Sequence, residues 1–277
     1  MAPAARAARP RARVVACPAR PTPLNHRDMA QSSSSTPQRK GPMAGFLQRL
    51  YRKAQEWQIA RNSSYGMDIS TPEARREARR HANMVDHAFL RRFWTNMHPL
   101  GGGAWRSNQP GPERFPALKE MGIRTIVNLR GPSAFAVYLF EKEACEKHAI
   151  TLIDHQIGAY RLSPRDAYLQ LFEIFDRIER PFLMHCKSGA DRSGLAAALY
   201  LLDQEGATVD QAKRQLALKY IHRKGSRSGI LDFLLEAYGA DTATNPMPIR
   251  QWIATRYDRD ALTAAFSTQK ARKAGRK

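Results

Sequence analysis

The stretch "PFLMHCKSGADRSGLAAALYLL", residues 181–202, constrains the fold of this chain more than any other part of the sequence. An apolar run ends at His185 and Cys186, and an apolar helical pattern resumes after Ser193. This pattern predicts a buried strand, a short loop and a helix. In a parallel sheet, ligands bind at the carboxyl ends of the strands, where the next helix begins. We therefore expect a binding site at this loop.

The loop has the composition of an anion site. Successive backbone N–H groups that run into a helix N-terminus form an anion cradle. Arg192 adds a planar pair of donors suited to two phosphoryl oxygens. The same positive surroundings are expected to lower the pKa of the Cys186 thiol and make it a nucleophile. The predicted phosphate-binding residues are Lys187, Ser188, Gly189, Ala190, Asp191, Arg192 and Gly194.

The charge of the chain is concentrated at its ends. The 277 residues carry a formal net charge of +20, and most of the excess lies in residues 1–60 and 268–277. Basic terminal segments of this kind predict weak contact with anionic surfaces, and we expect no specific nucleic acid partner.

The cysteines indicate a reducing compartment. Cys17, Cys145 and Cys186 are too few and too scattered for a disulfide framework. No convincing metal-ligand spacing occurs, so we expect neither a metal nor a cofactor. The sequence shows no secretory signal and no apolar run long enough for a membrane span. We expect a cytoplasmic protein, with peripheral membrane association left open.

Composition divides the chain into five segments. Residues 1–42 are predicted to be a disordered basic tail, or a stretch upstream of a true start at Met43. Residues 43–97 form a helical extension, in which Thr71 and Pro72 mark a helix start. The remaining segments are a globular domain over 98–240, which holds the loop, a C-terminal helix over 241–267 and a disordered basic tail over 268–277.

Within 98–240, strands and helices alternate. Strands are predicted over 124–129, 150–157 and 182–185, and helices over 112–121, 133–148 and 164–180, with further helices over 194–206, 208–220, 230–238 and 248–266. Such alternation is typical of an α/β fold, here a central, mainly parallel sheet flanked by helices.

Two motifs carry a resemblance to a known family. "HCKSGADRSG" resembles the signature loop His-Cys-x5-Arg-Ser/Thr-Gly of the cysteine-dependent protein tyrosine phosphatases. "AWRSNQPGPERFPALKEMGIRTIVNLRG" is similar to the first part of the atypical dual-specificity phosphatases of plants, fungi and bacteria. The resemblance covers about residues 103–238. It implies a dual-specificity phosphatase-like fold and metal-independent phosphomonoester hydrolysis through a phosphocysteine intermediate.

The resemblance also assigns roles. Cys186 matches the nucleophile, Arg192 the arginine that binds the phosphate, and Ser193 the hydroxyl that stabilises the leaving thiolate. His185 matches the histidine that orients the loop. The family further uses an aspartate on a neighbouring loop as general acid.

Two aspartates compete for the role of general acid. Asp154 ends a predicted strand 32 residues before Cys186, and a loop follows it. Asp166 lies in the first turn of the next helix, where an aspartate is favoured by the helix dipole alone. We prefer Asp154.

The substrate is expected to be a phosphorylated protein, first of all one carrying phosphotyrosine. Phosphoinositide-directed relatives have a second lysine where this chain has Ala190. An aspartate directly before the arginine, here Asp191, resembles the signature loops of bacterial phosphatases that accept phosphotyrosine or lipid phosphates. The alternatives are lipid, inositol or RNA 5′ phosphates, or a catalytically silent phosphate-binding module. Arg106 and Arg130, at predicted strand ends, are further candidates for the pocket.

Overall fold

A five-stranded sheet forms the centre of the described part of the chain. The computed structural model describes residues 66–275. The predictions for the tail over 1–42 and for the first part of the helical extension, up to residue 65, lie outside the described residues, as do the last two residues of the C-terminal tail.

The sheet is mainly parallel, as predicted. Its strand order is β1-β2-β5-β3-β4, in which β1 runs antiparallel to β2 and all other neighbours are parallel. The strands are β1 (His98–Gly101), β2 (Ala104–Asn108), β3 (Thr125–Asn128), β4 (Thr151–Asp154) and β5 (Phe182–Cys186). The predicted α/β fold, a sheet flanked by helices, is confirmed.

The helices lie before, between and after the strands. They are α1 (Pro72–Val85), α2 (Leu90–Phe93), α3 (Phe115–Glu120), α4 (Ala136–His148), α5 (Arg165–Arg177), α6 (Arg192–Gln204), α7 (Val209–Lys213), α8 (Ile230–Asp241), α9 (Ile249–Thr255) and α10 (Arg259–Ala274). Single 3-10 turns occur at Pro112–Arg114, Leu218–Tyr220 and Arg227–Gly229. Within residues 66–275, no helix is long and apolar enough to cross a membrane.

Each face of the sheet packs against its own layer of helices, because side chains alternate along a strand. On β5, Phe182, Met184 and Cys186 point into the larger core, which α5, α6, α8 and α9 cover. Leu183 points to the other face, into a smaller core with α3 and α4. The central strand is therefore buried on both faces, and this fixes the start of the loop that follows it.

Strands β1 and β2 were not predicted. The sequence here is rich in glycine, and Gly101, Gly102 and Gly103 all have positive φ in the turn between the two strands. The second half of β2 is polar, yet Arg106 and its two successors are fully buried. Because these buried residues are polar, β2 lacks the alternation of apolar and polar residues by which a strand is recognised in a sequence.

The helix start predicted at Thr71 is confirmed. The Thr71 hydroxyl accepts a hydrogen bond from the amide of Ala74 at 3.1 Å, which caps α1. Helix α1 packs on α4, where Arg75 forms an ion pair with Glu143 at 2.6 Å. Residues 72–93 thus lie against the phosphatase-like part of the chain.

The C-terminal region differs from the single helix and unordered tail that the sequence predicted. The helix breaks after Thr255, and the Asp258 side chain caps a new helix by accepting from the amides of Asp260 and Ala261. Helix α10 continues to Ala274, so residues 268–274 are helical. Its last turn carries basic side chains, which favour a helix C-terminus.

Candidate active site

The cysteine of the loop lies at the end of β5 in a nearly closed position. Cys186 is 2% exposed, and its Sγ atom lies 3.3 Å from the hydroxyl of Ser193. Backbone amides of Gly189 and Ser193 also donate to this sulfur. The loop between β5 and α6 thus wraps around the sulfur atom of Cys186.

The surroundings favour the thiolate form of this cysteine. Burial on its own would raise the pKa of Cys186, but the charge of Arg192 and the hydrogen bonds from Ser193 and Gly189 outweigh it and lower that pKa. The direction is the one expected from the sequence.

Arg192 begins α6 and lines the cleft above the loop. It forms no ion pair with any carboxylate among residues 66–275, and its Nε atom is buried without a hydrogen-bond partner in that part of the chain. A half-buried guanidinium without a carboxylate partner is suited to bind an anion such as a phosphoryl group.

His185 lies beneath the loop. Its side chain is fully buried, its Nδ1 atom lies 3.4 Å from the carbonyl oxygen of Cys186, and its Nε2 atom lies 2.8 Å from Glu141, which is also fully buried. Glu141 in turn accepts a hydrogen bond from Gln109 at 2.7 Å. This chain of contacts fixes the ring of His185 at the start of the loop.

Two polar side chains brace the loop from the side opposite the cleft. Arg106 donates to the carbonyl oxygens of Gly189 at 2.6 Å and Ala190 at 3.2 Å. Asn96 donates to the carbonyl oxygen of Ser188 at 3.0 Å. Burial lowers the pKa of Arg106 to about 10, which leaves it charged at neutral pH. By turning the carbonyl oxygens away, these donors leave the amides free to face a bound anion.

Gly189 is required where it stands. Its φ is +74°, and a Cβ there would lie 2.7 Å from the backbone nitrogen of Asn108. The loop thus crosses β2 too closely for a side chain.

The cleft above the loop has a volume of about 550 Å³. One wall is apolar or aromatic, and its members are His81, Val85, Phe135, Val137 and Tyr138. The opposite side carries the cations of Arg130, Lys187 and Arg192. Among residues 66–275, Asp86 is the only carboxylate that lines it.

Asp86 was not found from the sequence, because it belongs to the segment before the family resemblance. Its carboxylate contacts Arg91 at 2.6 Å, Arg130 at 3.0 Å and Lys187 at 3.3 Å. Burial would raise the pKa of Asp86, but Arg130 and Arg91 lower it, so this carboxyl group is ionised at neutral pH.

The structure does not bring Asp154 to the loop. Asn128 is the register partner of both Asp154 and His185, so Asp154 is separated from β5 by β3, about 10 Å in strand spacing. Its carboxylate accepts from Asn128 at 2.8 Å and from the hydroxyl of Tyr138 at 2.5 Å. Asp166 is exposed on α5. Cys186, Arg192, Ser193 and His185 do come together.

The described residues around this cleft do not form a metal site. Across residues 66–275, no group of three or more His, Cys, Asp or Glu side chains could hold a metal ion. The polar groups at the loop are donors, which suits an anion rather than a cation.

The fold and the loop together define a cysteine-based phosphatase. Residues 104–211 match the sequence model described as "Tyrosine phosphatase family". The match covers less than half of the chain and confirms the resemblance to the tyrosine phosphatases that the signature loop predicted. A search of the curated proteins returned no match.

Three solved structures illustrate the likeness. TpbA of P. aeruginosa is 19% identical, over 62% of this chain and 91% of that chain, with a TM-score of 0.43. The core catalytic domain of the PP-IP phosphatase SIW14 from S. cerevisiae is 15% identical, over 55% and 94%, with a TM-score of 0.42. A putative phosphatase from Neisseria meningitidis is 20% identical, over 50% and 96%, with a TM-score of 0.40.

Proposed function

We propose that this protein hydrolyses phosphotyrosine in proteins, with Cys186 as nucleophile. The observation that carries the proposal is the loop itself, in which a buried thiol of lowered pKa lies beside an arginine without a counterion. The aromatic and apolar wall of the cleft, at Phe135, Val137 and Tyr138, suits the ring of an aryl phosphate.

The reaction proceeds in two displacements. The thiolate of Cys186 attacks phosphorus, an S–P bond forms, and the P–O bond to the leaving group breaks. Arg192 and the loop amides bind the three equatorial oxygens, where charge develops. Water then attacks the phosphocysteine and releases inorganic phosphate. Ser193, 3.3 Å from the sulfur, donates to the thiolate as it leaves.

The leaving oxygen of the first step needs a proton. We keep Asp154 as its proposed source: the Tyr138 hydroxyl, which lines the cleft, would give its proton to the leaving oxygen and take one from the Asp154 carboxyl group that it contacts. Asp86 lies nearer, but three cations surround it and keep it ionised. We assign Asp86 to binding: it occupies Arg130 and Lys187 in the absence of substrate.

A second candidate substrate carries another anionic group beside the phosphoester, as inositol phosphates and phospholipid headgroups do. The observation that favours it is the excess of positive charge at Asp86, where one carboxylate faces Arg91, Arg130 and Lys187. A second phosphate displacing Asp86 from Arg130 and Lys187 would restore neutrality there.

The test is a comparison of substrates in EDTA. Phosphotyrosine peptides, phosphoserine peptides and inositol bisphosphates are offered to the full chain and to Cys186→Ser, with release of phosphate as the readout. We expect the phosphotyrosine peptide to have the highest kcat/KM. Preference for the bisphosphate would support the second candidate. Binding without turnover of any of them would identify a phosphate-binding module and contradict the proposal.

A further inference from the structure

A network of three charged side chains joins the loop to α8, with His222 at its centre. The Nδ1 atom of His222 lies 2.7 Å from a carboxylate oxygen of Asp191, and its Nε2 atom lies 2.7 Å from a carboxylate oxygen of Asp232. The side chain of His222 is fully buried. The three groups come from different parts of the chain: the loop, the segment after Leu218–Tyr220, and the first turn of α8.

Both ring nitrogens of His222 lie at hydrogen-bond distance from carboxylate oxygens. This arrangement favours the imidazolium form, because both of its N–H groups can donate. Burial opposes the charge, but the two aspartates outweigh it and raise the pKa of His222 to about 9. The next two residues, Arg223 and Lys224, are both exposed cations, and Lys224 is paired with Glu236.

Asp191 stands at the N-terminus of α6, but its side chain does not cap the helix. It is the N-cap residue of α6, where an aspartate ordinarily accepts from the second or third amide of the helix. Its side chain forms no such bond and is directed to His222 instead. The amides at this end of α6 therefore stay available, and one of them, that of Ser193, donates to Cys186.

We propose that His222 is a positioning residue of the phosphatase site, which draws the carboxylate of Asp191 away from the loop amides and offsets part of its charge, so that the loop can bind a phosphoryl dianion. Without this cation, Asp191 would be an ionised carboxylate next to Arg192. It would then compete with phosphate for the amides and for the guanidinium, and repel the dianion. This inference rests on the proposed function in one respect: both assume that the loop binds a phosphoryl group.

The experiment is a rescue by charge removal. The affinity of the full chain for orthovanadate, a phosphate analogue, is measured at pH 7 for the wild type, His222→Gln and the double variant His222→Gln/Asp191→Asn. The matched control is His155→Gln, because His155 is also a buried histidine but its Nε2 atom contacts the carbonyl oxygen of Ala167, far in sequence from the loop.

We expect His222→Gln to weaken vanadate binding at least about tenfold, as an unpaired carboxylate near a dianion should. The double variant should recover most of that loss, and His155→Gln should bind as the wild type does. An equal loss in the single and double variants would show that His222 acts only through packing and would overturn the proposal. So would unchanged binding in His222→Gln.

A second variant covers the case in which His222→Gln does not fold. Asp232→Asn keeps the contact between His222 and Asp191 but removes one of the two carboxylates that stabilise the imidazolium. Vanadate affinity should then decline at a lower pH than in the wild type, and an identical pH profile would contradict the proposal. Vanadate binding with this pattern but no turnover would refute the proposed function and leave the role of His222 standing.

Discussion

Arg106 lies on β2, the strand next to β5, and donates to the carbonyl oxygen of Gly189 in the loop at 2.6 Å. It also donates to the backbone and side chain of Gln215, and its guanidinium lies 4.0 Å from the ring centroid of Tyr220. One buried side chain therefore connects the loop to the segment after α7. The orientation of the anion-binding amides depends on a residue that the substrate does not touch.

Arg106→Lys tests this dependence. A lysine keeps the charge but not the planar fork, so it cannot hold the carbonyl oxygens of Gly189 and Gln215 together. We expect kcat/KM for an aryl phosphate to fall by about 10- to 100-fold, since the loop amides lose their alignment. Arg124→Lys is the control, because Arg124 is exposed and paired only with Glu179. Equal rates in both variants would contradict the bracing role.

The two described cysteines give a matched pair for the nucleophile. Both are 2% exposed. Burial raises the pKa of Cys145, whereas Arg192 and the loop hydrogen bonds lower that of Cys186. Cys186→Ser should lose at least about a thousandfold in kcat, and Cys145→Ser should keep its rate. Alkylation by iodoacetamide at pH 7, followed by mass spectrometry, should modify Cys186 first.

Asp86→Asn and Asp154→Asn separate binding from proton transfer. Removal of the Asp86 charge frees Arg130 and Lys187, so KM for an anionic substrate should fall severalfold with kcat retained.

Asp154→Asn should lower kcat by about 100-fold for a substrate with a poor leaving group and hardly at all for p-nitrophenyl phosphate. The reverse pattern, with kcat lost in Asp86→Asn, would make Asp86 the general acid.

Gly189→Ala probes the close crossing of the loop over β2. The positive φ and the 2.7 Å approach to Asn108 both oppose a Cβ, so the loop must shift. We expect a loss of stability of about 1–3 kcal/mol and a larger loss of activity. Gly225→Ala, at a glycine with no atom within 4 Å of an added Cβ, should change neither. Thermal unfolding and steady-state rates are the measurements.

The imidazolium of His222 should also appear in the pH dependence of stability. Because its pKa is raised in the folded state to about 9, its contribution is fully present below the ordinary histidine pKa and is lost as the pH rises through about 9. We expect His222→Gln to be less stable than the wild type by on the order of 2–3 kcal/mol at pH 6. The two should converge above pH 9 in urea unfolding curves.

The sequence predicts the fold correctly where the apolar pattern of a segment matches its burial in the folded protein. The apolar β5, the loop and the apolar first turns of α6 follow from residues 181–202 alone. Strand β2 did not, because its polar residues are buried only through partners distant in sequence, such as the contact of Arg106 with Gln215.

The same distinction separates the site residues. The nucleophile and the loop residues around it lie within ten consecutive residues and could be recognised by their spacing. The roles of Asp86, Arg106 and His222 could not, since each acts through a contact with a residue at least 31 positions away. Asp154 shows the converse: a suitable position in the sequence did not place its carboxylate beside the loop.

Helix α1 and Asp86 belong to the cleft but not to the segment that matches the family, residues 104–211. Part of the cleft wall is thus supplied from outside the stretch that carries the nucleophile, while the rest of the wall comes from within that stretch. Residues 81–86 can therefore vary in sequence, and with them one side of the cleft, while Cys186 and Arg192 stay unchanged.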